Sequence, residues 1–203
     1  MPAVRPYRPA DRSALVDICV RTGDAGEDAR ALYPDPELLA SIFALPYVEF
    51  EPQLAFVVDD GGQAVGYVLG TSDTPAYVKW LRREWLPTLS RRYPPPTGRP
   101  ATRAEGMIAL LHQPERILVP EVEAYPAHLH IDLLPAYQGA GNGRALMTTF
   151  LAALARGGVT AVHLGMASTN ARAGAFYHRM GFHKIPVQAQ PGTTYFGRST
   201  DPP

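Results

Sequence analysis

Cysteine, net charge and long apolar runs are the three things this chain has little of. A single cysteine, Cys19, in 203 residues excludes an internal disulfide framework and any zinc site built from cysteines. Nineteen basic side chains balance nineteen acidic ones, which argues against general affinity for nucleic acid, where excess Lys and Arg must neutralise phosphates. No apolar run approaches the roughly 20 residues that span a bilayer. The stretch from Met1 to Arg12 is polar and proline-containing, unlike a secretory leader. The expected setting is therefore the cytoplasm, with neither membrane nor nucleic acid as partner. Apolar residues at 46% exclude a wholly disordered chain, and the length suits one domain over 1–203.

Proline is what the chain has in excess. Its 21 prolines are about twice the usual ~5%. They concentrate at Pro94-Pro95-Pro96, Pro100, Pro114 and Pro120, with Pro202-Pro203 closing the chain. Proline interrupts helices and cannot donate to a sheet ladder, so residues 73–120 read as a helical, proline-rich insertion packed on the domain. Within it, Pro75 starts a helix over Tyr77–Leu89 and a second helix runs over Arg103–His112. Trp80, Trp85 and Tyr93 are expected to line or cover a cleft.

Around the insertion the pattern mixes strands and helices. Ala3–Tyr7 reads as a strand, and Asp11 or Ser13 is placed to cap a helix over Ala14–Arg21. A second helix follows Pro36, with Leu38, Leu39, Ile42 and Phe43 on its apolar face. Leu54–Val58 and Ala64–Gly70 form a hairpin through Asp59-Asp60-Gly61-Gly62. From Ala127 the order becomes strand (His128–Leu134), glycine loop, helix (Gly143–Arg156), strand (Val159–Met166), helix (Ala171–Met180) and two further strands, near Phe182–Val187 and Thr194–Arg198. The class is α+β.

The densest chemical signal is Gln138-Gly139-Ala140-Gly141-Asn142-Gly143-Arg144, between a strand and a helix N-terminus. Glycines let backbone N–H groups converge, and the helix N-terminus adds positive potential, so the loop suits a pyrophosphate. A Walker A loop fails, because no Gly-Lys-Ser/Thr follows. A dinucleotide fingerprint fits poorly, because the spacing is GxGxG and the loop follows a late strand. The pattern Q/R-x-x-G-x-G/A, which binds the pyrophosphate of coenzyme A, is matched by Gln138, Gly141 and Gly143. The bland alternative is a glycine-rich turn without a ligand.

A second segment, Asn170-x-x-Ala173-x-x-Phe176-Tyr177-x-x-x-Gly181-Phe182, follows about 30 residues on. Together the two motifs resemble the GNAT family of N-acetyltransferases, over about residues 127–183, and the element order fits from residue 3 onward. A narrower likeness runs from His128 to Gln138, with Pro46-Tyr47-Val48 and the insertion. It is to the acetyltransferase-like C-terminal domain of O-GlcNAcase enzymes and its bacterial relatives, some of which do not use acetyl-CoA. The resemblance implies a mixed, mostly antiparallel sheet flanked by helices, and acetyl-CoA as cosubstrate without a metal.

Under that resemblance, the backbone of Gly139, Ala140, Gly141, Asn142, Gly143 and Arg144 anchors phosphate together with Gln138. The edge Ile131–Asp132–Leu133 pairs with the pantetheine arm, and a backbone N–H there, that of Leu133, polarises the acetyl carbonyl. Asn170 matches the pantetheine contact, with Ala173 and Phe176 beside it. Tyr177 matches the position whose hydroxyl protonates the departing thiolate, or else is a helix residue packed on the sheet. Many family members place a carboxylate on the strand before Asn170, where this chain has His163 and Gly165. The base candidates are instead His128, His130 and Asp132, which alternate along one strand and share a face. The same three could form a polar network, or hold a metal, which the family chemistry does not need.

The expected reaction is direct transfer of an acetyl group to an amine of a small molecule or peptide, in a ternary complex and by a monomer or homodimer. Cys19, in an amphipathic helix away from the motifs, is a poor nucleophile. The alternative function is a catalytically silent module that binds acetyl-CoA or CoA as a sensor or interaction domain.

Overall fold

The computed structural model of the chain describes residues 2–188 and 190–201, so the closing Pro202-Pro203 pair lies outside the described residues. Strand β1 (Ala3–Pro6) leads into helix α1 (Arg12–Arg21). Asp11 does not cap that helix as expected, and Ser13 lies within it. The Asp11 carboxylate instead accepts both terminal nitrogens of Arg5, at 2.6 and 2.8 Å, and the Arg8 N–H at 2.8 Å. A bidentate, charge-assisted pair outcompetes a neutral cap for the same oxygens. Helix α2 (Pro36–Phe43) is capped by Asp35, whose Oδ1 accepts the Glu37 N–H at 3.0 Å, and α3 (Leu45–Phe50) follows.

Strands β2 (Ala55–Asp60) and β3 (Gln63–Thr71) form the hairpin. Its turn is the pair Gly61-Gly62, shorter than expected because Asp59 and Asp60 still pair with β3. The insertion contributes α4 (Thr74–Trp80), a π-helical turn over Leu81–Trp85, α5 (Leu86–Leu89) and α6 (Arg103–Leu111). The single helix expected over Tyr77–Leu89 is thus interrupted. Pro87 has no N–H, and its ring would crowd the carbonyl four residues back. The preceding turn widens, and the Leu86 N–H reaches the Leu81 carbonyl. Tyr77, Leu86, Tyr93 and Leu111 of the insertion belong to the same apolar core as the sheet.

The rest is β4 (Ala127–Leu133), α7 (Asn142–Arg156), β5 (Ala161–Ala167), α8 (Ala171–Arg179), β6 (His183–Ile185) and β7 (Thr193–Ser199). The seven strands form one sheet in the order β1-β2-β3-β4-β5-β7-β6. Every neighbouring pair is antiparallel except β4 and β5, which run parallel and pair only at Ala127–Val162 and His128–His163. Helix α7 lies against β1 to β4, burying Leu146, Phe150, Leu151 and Leu154.

Close packing of α7 explains Gly70 on β3. A Cβ there would meet the His128 carbonyl oxygen and Phe150 Cζ, each at 2.4 Å. Gly70→Ala should therefore lower stability by about 1–3 kcal/mol, read as a lower urea midpoint. Gly98→Ala, which meets nothing within 4 Å, should stay within about 0.5 kcal/mol of the unmodified chain.

Candidate functional site

In an antiparallel ladder, alternate residues turn their backbone groups toward the partner strand and the others turn away. The Leu134 N–H bonds the Val65 carbonyl, and β3 and β4 pair in unbroken register from Gly66–Leu133 to Thr71–His128. His128, His130 and Asp132 therefore bond toward β3, while Leu129, Ile131 and Leu133 face β5. Because β5 pairs with β4 only at its beginning, Ile131 and Leu133 have no strand partner on that side among the described residues. Gln138 Nε2 donates to the Leu133 carbonyl at 2.7 Å, which leaves the Leu133 N–H and both Ile131 groups available.

Two cavities take successive stretches of β4. One, of about 410 Å³, is lined by Ile131, Asp132 and Leu133, the glycine loop, and Asn170, Ala173, Phe176 and Tyr177 of the α8 segment. The other, of about 440 Å³, is lined by His128, Leu129 and His130, the β5 stretch from His163 to Ala167, and the inner wall of the insertion. The expected site residues are thus brought together, but the three polar residues of β4 are divided. They share one face, as their cross-strand partners Thr71, Leu69 and Tyr67 do, yet Asp132 faces the first cavity and both histidines the second.

In the first cavity, Gly139 and Gly141 have φ of +81° and +88°, where L side chains are strained, and nothing lies within 4 Å of where their Cβ atoms would be. Their N–H groups sit at the start of the fifteen-residue α7, a setting that favours an anion. Arg144 lines this cavity together with Arg172 and Arg179. Ala140 and Asn142 do not line it, and the Asn142 Nδ2 turns back to the Tyr137 carbonyl at 2.9 Å. Asn170 caps α8, its Oδ1 accepting the Ala173 N–H at 3.0 Å.

Tyr177 is buried beside Phe176, Phe182 and Phe196. Burial, and the charge of Asp132, push its pKa up. Asp132 accepts the Tyr67 hydroxyl at 2.8 Å, and burial pushes its carboxyl up to about 6. Cys19 is buried near the same carboxylate, and burial pushes its thiol up to about 12. It is not a nucleophile at neutral pH.

In the second cavity His128 is held at both ring nitrogens, by Tyr47 Oη and Thr74 Oγ1 at 2.8 Å each. Thr74 Oγ1 itself donates to the Pro126 carbonyl, so it accepts from His128 Nδ1–H, and Nε2 accepts the Tyr47 hydroxyl. Burial drives the His128 pKa well down. His130 packs against Phe43 and Tyr47, at 5.6 and 5.3 Å between ring centroids, and makes no hydrogen bond among the described residues. Burial, then the charge of Arg116, push it down to about 4. His163 donates Nδ1–H to the Tyr125 carbonyl at 2.8 Å. Among the described residues, no group of His, Cys, Asp and Glu is arranged to hold a metal.

Trp85 lines this cavity as expected, its indole N–H donating to the Ser41 carbonyl at 2.9 Å. Trp80 and Tyr93 do not line it. Trp80 stacks between Tyr77 and Trp85, and the Tyr93 hydroxyl donates to Asp35 at 2.7 Å. Arg82 and Arg92 of the insertion pair with Glu115 and with Asp35 and Glu37. Arg116, Arg172, Arg179 and Tyr47 were missed. Arg172 and Arg179 had a signal, since both sit in the segment that carries Asn170 and Tyr177. Arg116 had none, because only the folded insertion brings it to β4.

A family model described as "Acetyltransferase (GNAT) family" matches residues 24–182. The chain is 23% identical over 185 residues to protein O-GlcNAcase of Rattus norvegicus and, equally, of Mus musculus. The alignment takes in 90% of this chain and 20% of each relative, so the chain spans about a fifth of the length of the curated relatives it matches. Among solved structures, the crystal structure of SsHAT is similar at 61% identity and a TM-score of 0.96, covering 99% of each chain. The fold also matches yncA from Salmonella typhimurium, solved with its cofactor acetyl-CoA, at 19% identity and a TM-score of 0.56, covering 98% of this chain and 94% of that one.

The raised Asp132 pKa fixes the sign of a pH effect. A carboxyl that ionises later in the folded than in the unfolded chain stabilises the fold below its unfolded pKa, and that stability is lost as pH rises through the folded value. Asp132→Asn escapes the loss. Between pH 4 and pH 7 the variant should gain about 2 kcal/mol relative to the unmodified chain, measured by urea unfolding at each pH. A constant difference would show that Asp132 ionises as an ordinary carboxylate.

Proposed function

Because the chain belongs to the acetyltransferase (GNAT) family, we propose that the cavity at the glycine loop takes acetyl-CoA and that the cavity under the insertion takes an amine acceptor. The observation that carries this reading is the unpaired edge of Ile131 and Leu133, which lies where the two cavities share β4. The residues present fit the donor. Open space lies over Gly139 and Gly141, arginines line the same cavity, and free N–H and C=O groups offer an extended amide chain a strand to pair with.

Acetyl-CoA supplies an acetyl group activated as a thioester. The loop N–H groups and Arg144 hold its phosphates. The Leu133 N–H donates to the acetyl carbonyl oxygen as negative charge grows there. An acceptor ammonium must lose two protons to become an amide. Asp132 lies on the donor side, next to Leu133, and burial raises its carboxyl to about 6. Once the amine has crossed to the acetyl carbonyl, Asp132 accepts the first proton, which frees the nitrogen lone pair to form the C–N bond. As the C–S bond breaks, Tyr177 gives its hydroxyl proton to the sulfur and regains the second proton from nitrogen. His128, held at both nitrogens, fixes the position of β4, and neutral His130 faces the acceptor. With Cys19 buried, transfer is direct, without an acyl-enzyme.

Free thiol followed during incubation with acetyl-CoA and a panel of amines tests this reading. Turnover is expected, with kcat/KM rising as pH climbs through about 6, where Asp132 ionises. Tyr177→Phe should lower kcat by about 100-fold or more and leave the KM for acetyl-CoA within about twofold. CoA binding with no thiol release from any amine would instead make the chain a binding module. A separate thermal-shift measurement examines the loop. CoA at about 100 times its Kd adds roughly 2.7 kcal/mol of stability, and Gly141→Trp should abolish that gain. Equal stabilisation of this variant would refute the assignment of the loop.

A further inference from the structure

The wall of the acceptor cavity contains no Asp or Glu among the described residues, but it does contain Arg116. A cavity selecting a polyamine or another multiply charged cation would need carboxylates to compensate the desolvated charge. This one offers the opposite sign.

Arg116 differs from the other arginines of the insertion in being half-buried, whereas Arg82, Arg83, Arg91, Arg92, Arg99 and Arg103 are exposed. Arg82, Arg92 and Arg103 pair with Glu115, with Asp35 and Glu37, and with Asp24. Among the described residues Arg116 has no acidic partner, and its guanidinium makes a single hydrogen bond, from Nη1 to the Gln113 carbonyl at 3.2 Å. A guanidinium has five N–H donors, so four are left over. The buried Tyr77 hydroxyl, also in this wall, makes no hydrogen bond of ordinary geometry among the described residues, and the Tyr47 hydroxyl is its one side-chain neighbour of that kind. The Arg116 charge acts on this hydroxyl and on those of Tyr47 and Tyr195, and burial lowers the pKa of Arg116 itself. A half-buried cation with no carboxylate beside it on a cavity wall is costly unless an anion binds there. Much of the remaining wall is apolar or aromatic, with Trp85, Met107 and Leu110.

We propose that Arg116 anchors a carboxylate of the acceptor, so that the amine acetylated is carried on a small amino acid with an apolar or aromatic body. The carboxylate is held from the insertion and the amine is presented to β4 beside His130. The acceptor class rests on the acetyl-transfer reading; the carboxylate site does not.

Calorimetry on the full chain saturated with CoA tests the site without turnover. The probes are L-phenylalanine against phenethylamine, and N-acetyl-L-phenylalanine against N-acetylphenethylamine, each pair differing only in the carboxylate. The carboxylated member should bind about 10- to 100-fold more tightly, as a hydrogen bond between charged groups allows. The preference should fall to about one in Arg116→Gln and recover in part in Arg116→Lys, with CoA affinity unchanged. Equal binding of the paired probes, absence of binding by both, or a preference kept in Arg116→Gln would each overturn the proposal. The preference in the unmodified chain stands even if a variant fails to fold. Carboxylate-dependent binding without thiol release from L-phenylalanine would uphold the Arg116 site and remove the acetyl-transfer reading.

Discussion

β4 and β5 lie side by side for only two residue pairs, and beyond His128 and His163 the backbone of Ile131 and Leu133 faces a gap where a strand would be. Backbone donors and acceptors in the middle of a sheet are seldom left unpaired, so the gap has to be held open. Each strand is tied on its other edge. β4 is registered to β3 from Thr71 to Gly66, and β5 is registered to β7 over its whole length, from Ala161–Ser199 to Ala167–Thr193. Closing the gap would require bending both strands out of the register that holds their other edges. The glycine loop, α8 and the insertion are then arranged around an opening that the sheet cannot remove.

The two sides of this opening differ in electrostatics. The loop side carries arginines and a helix N-terminus, as a polyanionic ligand requires. The insertion side is nearly uncharged, because burial keeps its histidines neutral. Its hydroxyls are held protonated for the same reason. One guanidinium stands out against that background, and a low-dielectric wall enlarges the effect of any single charge. Asp132 sits at the division between the two regions.

Much of the fold was legible in local patterns. Apolar spacing located α7, and the Gly-rich turn located the hairpin, because both depend on neighbours in sequence. The glycine loop and the Asn170–Tyr177 segment were legible for the same reason, and the structure brings both to one cavity. What stayed hidden depended on partners far along the chain. Asp11 looked like a helix cap until Arg5 took its oxygens. Tyr93 looked like a cleft residue until Asp35 accepted its hydroxyl. His128, His130 and Asp132 do share a face, as alternation required. Strand alternation has no means of showing that the gap assigns them to different cavities, or that Tyr47 and Thr74 occupy both nitrogens of His128.

Asp35 serves two structures with one carboxylate. Its Oδ1 caps α2 through the Glu37 N–H and also accepts Arg92 Nη2 at 3.0 Å, while Oδ2 accepts Arg92 Nε at 3.1 Å and the Tyr93 hydroxyl. The start of α2 and the middle of the insertion, where it enters Pro94-Pro95-Pro96, are thereby fastened at a single point. Fraying of the helix and detachment of the insertion become one cooperative event rather than two. The wall formed by the insertion would then open as a unit, fastened by a residue that lines neither cavity.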